Sequence, residues 1–262
     1  METLKALTEF YSNYDEEGRL LSRHGQVEYL TTMRYIDKYL RPGARILEIG
    51  AATGRYSHAL ARRGYTVDAV ELVQHNIDIF NTLTRPGEQI TIRQGNARDL
   101  HFLADEQYDI TLLLGPMYHL FTVPEQLQAL REAFRVTKRG GIVFAAYCGN
   151  DATMVQYCFG RGMILLERYQ NLIDMETFKA SSDPAELFQL YRKEDIDALM
   201  EGIESQRLHY VGTDMATNYM RQTIDEMKDE LFELYLKYHF TICERADMVG
   251  TSHHILDIQR KA

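Results

Sequence analysis

At 262 residues the chain exceeds one minimal module and falls short of two full domains, so residues 1–262 read as a single catalytic domain with elaborations. A hydrophobic fraction of 45% and a charged fraction of 26%, with no Pro/Gly/Ser-rich or charge-block segment, exclude a disordered chain. The formal net charge of −9 opposes attraction to polyphosphate, so no nucleic-acid partner is expected and a small-molecule acceptor is the easier substrate. No segment approaches the roughly 18 apolar residues of a membrane span, so neither a membrane nor any compartment but the cytoplasm is expected. Cys148, Cys158 and Cys243 lack CxxC spacing and are odd in number, which points to reduced thiols and to no metal site.

In chain order, Val27, Leu30, Met33, Ile36 and Leu40 recur at helical spacing over 26–40, and Arg41-Pro42-Gly43 ends the run. Residues 1–42 are thus expected to supply N-terminal cap helices. Short apolar runs then alternate with amphipathic stretches: a strand at 45–49, a helix at about 56–63 closed by Gly64, a strand at 66–72, a helix near 76–82 and a strand at 90–94. A very apolar strand at 108–114 follows. Thr122 and Glu125 have capping-box spacing, opening a helix to about Thr137. The turn Lys138-Arg139-Gly140-Gly141 leads into a strand at 142–147 whose unbroken apolarity fits burial under helices on both faces. Beyond Cys148 the pattern predicts helical stretches at 152–168 and 184–201, a strand at 206–212, a helix-rich segment at 216–244 and a last strand at 253–259. Ile224, Met227, Leu231, Leu234 and Tyr238 form a stripe expected to be ordinary core. The fold class is α/β: a Rossmann-like, doubly wound, mostly parallel seven-stranded sheet, with a core at 43–147 and the final strands and substrate-covering insertions at 148–262.

The most informative stretch is Ile46-Leu47-Glu48-Ile49-Gly50-Ala51-Ala52-Thr53-Gly54, a strand ending in a glycine-bounded loop before a helix, where a ligand can approach the backbone. Seventeen residues after Gly54, Glu71 ends the next strand, where an acid can accept hydrogen bonds from ribose hydroxyls. A dinucleotide fingerprint would carry glycine where this chain has Ala52. The pattern is instead Glu-x-Gly-x-x-x-Gly. Gly95-Asn96-Ala97-Arg98-Asp99-Leu100 follows the third strand, and Leu112-Leu113-Leu114-Gly115-Pro116-Met117-Tyr118-His119 closes the fourth.

Over residues 43–147 these segments resemble the class I S-adenosylmethionine-dependent methyltransferases, of the UbiE-like, methyltransferase-domain small-molecule type. The resemblance implies S-adenosyl-L-methionine as cofactor and S-adenosyl-L-homocysteine as product. It implies that Glu48 to Gly50 and Gly54 lie along the methionine part, Glu71 takes the ribose, Asn96 and Ala97 the adenine, and Leu114 and Gly115 the amine side, with Ala51 and Leu72 also at the cofactor. Phe10, Tyr11 and Tyr14, with Arg23 and His24, resemble the helix that closes over the cofactor. Nucleic-acid amino-methylating members carry Asp/Asn-Pro-Pro-aromatic after the fourth strand; Gly115-Pro116-Met117-Tyr118 departs from that, which speaks against base-amine methylation.

Methyl transfer from a sulfonium is an in-line displacement, so alignment and exclusion of water are the chief requirements. A general base enters only where the nucleophile, on O, N or C, must lose a proton, and His119, Tyr14 and His24 are the candidates, each weighed against a supporting role. His253 and His254 are adjacent, and in a strand would point to opposite faces, so a shared metal is not expected. Cys148 reads as a buried structural thiol. Arg161, Arg168, Tyr157 and Tyr169 in the insertion suit an anionic or aromatic acceptor. Two other functions stay open: a non-catalytic cofactor-binding regulator, which turnover would exclude, and a tRNA or protein methyltransferase, which should carry a basic stripe or an appended recognition domain. Self-association as a homodimer is compatible with either.

Overall fold

The computed structural model describes residues 2–262, with side chains from Leu4 onward. Three helices open the chain, α1 (Glu2–Asn13), α2 (Glu16–Arg19) and α3 (Arg23–Asp37). The alternating core follows: β1 (Arg45–Ile49), α4 (Arg55–Ala61), β2 (Thr66–Glu71), α5 (Gln74–Leu83), β3 (Ile90–Gln94), β4 (Tyr108–Leu113), α6 (Val123–Val136) and β5 (Thr137–Gly149). The last part comprises α7 (Asn150–Thr153), α8 (Glu167–Gln170), β6 (Leu190–Tyr191), α9 (Lys193–Met200), β7 (Ser205–Gly212), α10 (Arg221–Asp225), α11 (Asp229–Ile242) and β8 (His254–Lys261).

The strands form one sheet in the order β3-β2-β1-β4-β5-β8-β7, with β1 to β5 parallel and β8 antiparallel to both neighbours. Successive residues of β5 point to opposite faces, and both faces are covered. Val143, Ala145 and Tyr147 pack with Leu130, Phe134 and Leu199 of α6 and α9. Ile142, Phe144 and Ala146 pack with Ile36 of α3 and Leu60 of α4. Double coverage is why the parallel strands are uniformly apolar, and it leaves their carboxyl ends as the open edge. Among the described residues no helix is long and apolar enough to cross a membrane.

Several expectations need correction. The sheet has eight strands rather than seven, because Leu190 and Tyr191 pair with Cys148 and Gly149. β5 is extended from Thr137, ahead of the expected 142, but the turn at 138–141 is there: Thr137 pairs with Tyr108 and Ile142 with Ile110, and between them the chain bulges out with Gly140 left-handed (φ +71°). The helical expectation over 152–168 stops at a π-helical turn, Met154–Phe159, since Gly162 is left-handed (φ +68°), and 184–192 is a turn and an extended run of which Leu190 and Tyr191 pair with β5. The 216–244 segment is a turn (Met215–Met220), α10 and α11, broken at the extended Lys228. That break shifts the phase of the stripe: Phe232 and His239 face inward, whereas Leu231, Leu234 and Tyr238 are more than half exposed. Finally, β8 starts at His254, one residue after the expected 253, so His253 lies outside the strand and the alternation argument does not govern the pair.

Candidate functional site

The β1 strand ends where Gly50 (φ +74°) and Ala51 both donate backbone N–H bonds to the Val70 carbonyl, at 2.8 and 3.2 Å. A Cβ on Gly50 would stand 2.6 Å from Pro116 Cδ, and one on Gly115 would touch the Gly50 carbonyl oxygen at 3.4 Å. The β1 and β4 ends therefore meet at a point where only backbone fits. Gly54 (φ +88°) is pressed against the Phe80 ring.

Two buried carboxylates brace this loop. Glu71 accepts backbone N–H bonds from Ala52 and Val73, both at 2.9 Å, and a weaker one from the Asn76 amide at 3.4 Å. Burial nevertheless raises its pKa above the usual value. Glu48 accepts from the Ser57 N–H at 2.9 Å and from the Ser57 hydroxyl. Burial pushes the Glu48 pKa up to about 7, the Ser57 bonds oppose that shift and the neighbouring Glu71 adds to it.

A cavity of about 770 Å³ opens above this edge. Glu48, Gly50, Ala51, Leu114 and Gly115, five of the residues expected at the cofactor, line it. Gly54, Glu71, Leu72, Asn96 and Ala97 lie outside that lining. Leu72 is half-buried and its carbonyl accepts from the Gln94 amide at 3.1 Å. The Asn96 side-chain oxygen accepts the Arg98 N–H at 3.0 Å, closing its own turn, and Ala97 is buried beside it.

The cover comes from two stretches distant in sequence. α1 packs against α5 and presents Phe10 and Tyr14, stacked at 5.0 Å, to the cavity. The Tyr11 hydroxyl lies 3.0 Å from His119 Nε2, and His119 Nδ1 donates to the Leu187 carbonyl at 2.8 Å. Both His119 nitrogens are thus engaged, and burial takes its pKa down to about 4, so the ring is neutral at pH 7. The insertion is fastened to the same turn, Pro116–His119, by Gln189 N–H to the Tyr118 carbonyl (2.7 Å) and Tyr191 hydroxyl to the Met117 carbonyl (2.8 Å). Of the other candidates, His24 lies between Asp225 (Nδ1, 2.7 Å) and the Ser22 hydroxyl (3.3 Å), joining α3 to α10 while still lining the cavity. Tyr14 is 42% exposed at the rim. Tyr157 and Tyr169 line the cavity; Arg161 and Arg168 sit over their rings at 4.6 and 4.5 Å.

The far wall holds a charged cluster that sequence spacing did not suggest. Arg19 bonds Glu28 at 2.8 Å and Glu16 at 3.1 Å, and His254 Nδ1 lies 2.7 Å from Asp214 Oδ2 and 3.4 Å from Glu28 Oε2. Asp214 accepts four further bonds, from Ser252 Oγ–H, the His253 and His254 N–H groups and Asn218, and together with the histidine these hold its carboxyl well below the usual range. Glu28, Asp214 and His254 offer ligand-type atoms within 4.8 Å of one another. Arg19 and protein N–H groups already occupy the carboxylates, so the cluster is electrostatically complete without an ion. Cys148, opposite His254 in the β5–β8 register, is buried, and burial pushes its thiol up.

A protein-family profile described as "Methyltransferase domain" matches residues 47–145, from the middle of β1 to the middle of β5. The chain is built on a class I S-adenosylmethionine-dependent methyltransferase domain. Among relatives of this methyltransferase is the ubiquinone biosynthesis O-methyltransferase of Pseudomonas savastanoi pv. phaseolicola, 28% identical over 191 residues, 70% of this chain and 79% of that one. Two solved structures share the fold at 17% identity. An S-adenosylmethionine-dependent methyltransferase of Methanosarcina mazei has a TM-score of 0.57, covering 87% of this chain and 96% of that one. One of Thermotoga maritima, described as a possible histamine N-methyltransferase, has a TM-score of 0.59, covering 99% and 100%. The cofactor of this methyltransferase is S-adenosyl-L-methionine. Glu48 lines the cavity beside Gly50, with its carboxylate bonded to Ser57.

Proposed function

We propose that this methyltransferase transfers the methyl group to a hydroxyl of a small aromatic acceptor held in the covered cavity. The observation that carries this reading is the cavity itself, running from Gly50 and Gly115 to Tyr157 and His253 under a cover from both ends of the sequence. About 770 Å³ lies within the usual range of small-molecule sites. Rings of Phe10, Tyr56, Tyr118 and Phe188 in its lining favour a flat apolar body, and the ubiquinone biosynthesis relatives, named as O-methyltransferases, support the oxygen nucleophile. A net charge of −9 and a cover over the strand ends support a small acceptor over a nucleic acid.

On this reading Glu48, Gly50, Ala51, Leu114 and Gly115 hold the methionine part, Glu71 and Leu72 the ribose, and Asn96 and Ala97 the adenine. Gly54 sets the loop, and Tyr11 with His119 latches the cover rather than taking the proton. The test is a panel of phenols, catechols and aryl amines with S-adenosylhomocysteine release as readout. Turnover of hydroxylated rings is expected; turnover of amines alone would replace oxygen by nitrogen, and none with any small molecule would sink the reading.

A further inference from the structure

We propose that His254, oriented by Asp214, is the catalytic base that takes the acceptor hydroxyl's proton, from the far wall of the cavity. The inference rests on the hydroxyl-methylation reading above and adds the group that performs it. Of the four histidines near the site, His119 has both nitrogens engaged and lies outside the cavity lining, and His24 is held between Asp225 and Ser22. His254 lines the cavity, gives Nδ1 to Asp214, and its Nε2 makes no hydrogen bond among the described residues. This is the arrangement a base needs, with one nitrogen fixed by a carboxylate and the other turned to the substrate.

The wall carries a second sign of a ligand. His253 is 94% buried (6% exposed), lines the same cavity between the Tyr157 and Tyr219 rings, and its Nε2 is buried with no partner. Burial brings its pKa down to about 4, so it is a neutral ring with an unmet hydrogen bond. A buried polar atom left unpaired is costly unless a ligand or water completes it. Two adjacent imidazoles beside Asp214 thus suit an acceptor with more than one polar substituent, His254 facing the reacting hydroxyl and His253 its neighbour.

Strand registers set the span. Leu113 of β4 pairs with Ala145, and Cys148 of β5 pairs with His254, so the base stands two strand spacings across and three residues beyond the β4 end, roughly 14 Å between backbones. A substituted aromatic ring together with the imidazole side chain spans that distance. In the step, the hydroxyl O–H bond breaks and the proton passes to Nε2, while the oxygen lone pair forms the O–CH3 bond. The C–S bond breaks with its electrons going to sulfur, giving neutral S-adenosylhomocysteine, and the imidazolium formed faces Asp214 and Glu28 until it loses its proton to solvent. The groups around it are Asp214, Glu28, Glu16, Arg19, His253, Tyr118 and the Cys148 thiol; the two nearest carboxylates outweigh burial and raise the His254 pKa.

The test uses the full chain with His254→Asn and Asp214→Asn. With the phenol or catechol turned over in the screen, His254→Asn should lower kcat by 100-fold or more, in line with loss of general base catalysis, with KM and the calorimetric Kd for S-adenosylhomocysteine within about twofold. The rising limb of the wild-type pH profile should vanish. Asp214→Asn should move that limb to lower pH, because the imidazolium loses its carboxylate. An unchanged kcat, or loss of S-adenosylhomocysteine binding in both variants, would overturn the proposal. An acceptor-independent arm reads imidazole nitrogen shifts in the S-adenosylhomocysteine complex: a proton on Nδ1 of His254 is expected, and one fixed on Nε2 of the neutral ring would refute the role even if no phenol in the panel reacts. A panel without turnover together with the expected tautomer would count against hydroxyl methylation while leaving the orientation of His254 intact.

Discussion

The cavity has two walls made by different means. On the sheet edge, Gly50 and Gly115 lie so close that a Cβ on Gly115 would touch the Gly50 carbonyl, Val70 and Glu71 bind the loop backbone, and the strands beneath are buried on both faces. On the cover, α1 meets the body through α5, the Tyr11–His119 contact and an aromatic cluster with Phe188, while Val155, Phe159, Leu165 and Leu166 of the insertion stand in solvent. One wall is fixed before any ligand arrives. The other is held by a small cluster of its own, Met154, Cys158, Ile164 and Ile173, so it is expected to open before the sheet edge does, as a segment that admits and then encloses ligands must.

The contrast can be broken most sharply at Gly50. Gly50→Val places a Cβ into Pro116 and forces φ +74° on a β-branched residue, so S-adenosylhomocysteine affinity should fall about 100-fold or more in calorimetry, with the circular dichroism spectrum retained. Affinity within threefold of wild type would show that the sheet edge is not the rigid wall. Glu71→Ala should cost cofactor binding about 1–3 kcal/mol, the range for a charge-assisted acceptor, and should lower the melting temperature as well, since the Ala52 and Val73 N–H groups lose their partner.

Glu48 gives a pH signature. Its folded pKa, about 7, is above its ordinary 4.5, so the ligand-free fold binds the proton more tightly than the unfolded chain does. Stability from this group is therefore present below about pH 4.5 and is lost as pH rises toward 7. Cationic S-adenosylmethionine should bind up to about tenfold tighter at pH 8 than at pH 6, and the dependence should flatten in Glu48→Gln. The smallest effect belongs to the cover. Tyr11→Phe should cost about 0.5–1 kcal/mol in unfolding free energy and raise the acceptor KM several-fold while S-adenosylhomocysteine affinity stays level. Hydrogen exchange sharpens the same point: bound S-adenosylhomocysteine should protect amides in α1, α3 and 150–180 besides the glycine loop, and protection of the loop alone would mean an open site.

The sheet edge was legible in the sequence because each of its residues answers to a local rule. A strand must end before Gly50 can turn, an acid must follow the next strand, and both lie within one βαβ unit. The cover was not, for two reasons. Lys228 breaks the late helix, so an apparent stripe through Leu231, Leu234 and Tyr238 never forms a buried face. The polar wall joins Arg19 and Glu28 to Asp214 and His254, residues almost the whole chain apart, and the start of β8 one residue late lets His253 share it. A histidine pair beside a strand was visible; its carboxylate partners are a product of tertiary packing alone.

The turn Pro116–His119 belongs to both walls: Pro116 rests on Gly50, while Tyr118 and His119 hold the backbone of Gln189 and Leu187. What seats against the glycine loop therefore also sets the footing of the insertion. Any coupling through this turn is reciprocal, so cofactor and acceptor are expected to change each other's affinity by one common factor. The expected kinetic counterpart is a compulsory order, with S-adenosylmethionine entering first and S-adenosylhomocysteine leaving last, and product inhibition by S-adenosylhomocysteine that is competitive with S-adenosylmethionine at every acceptor concentration checks it.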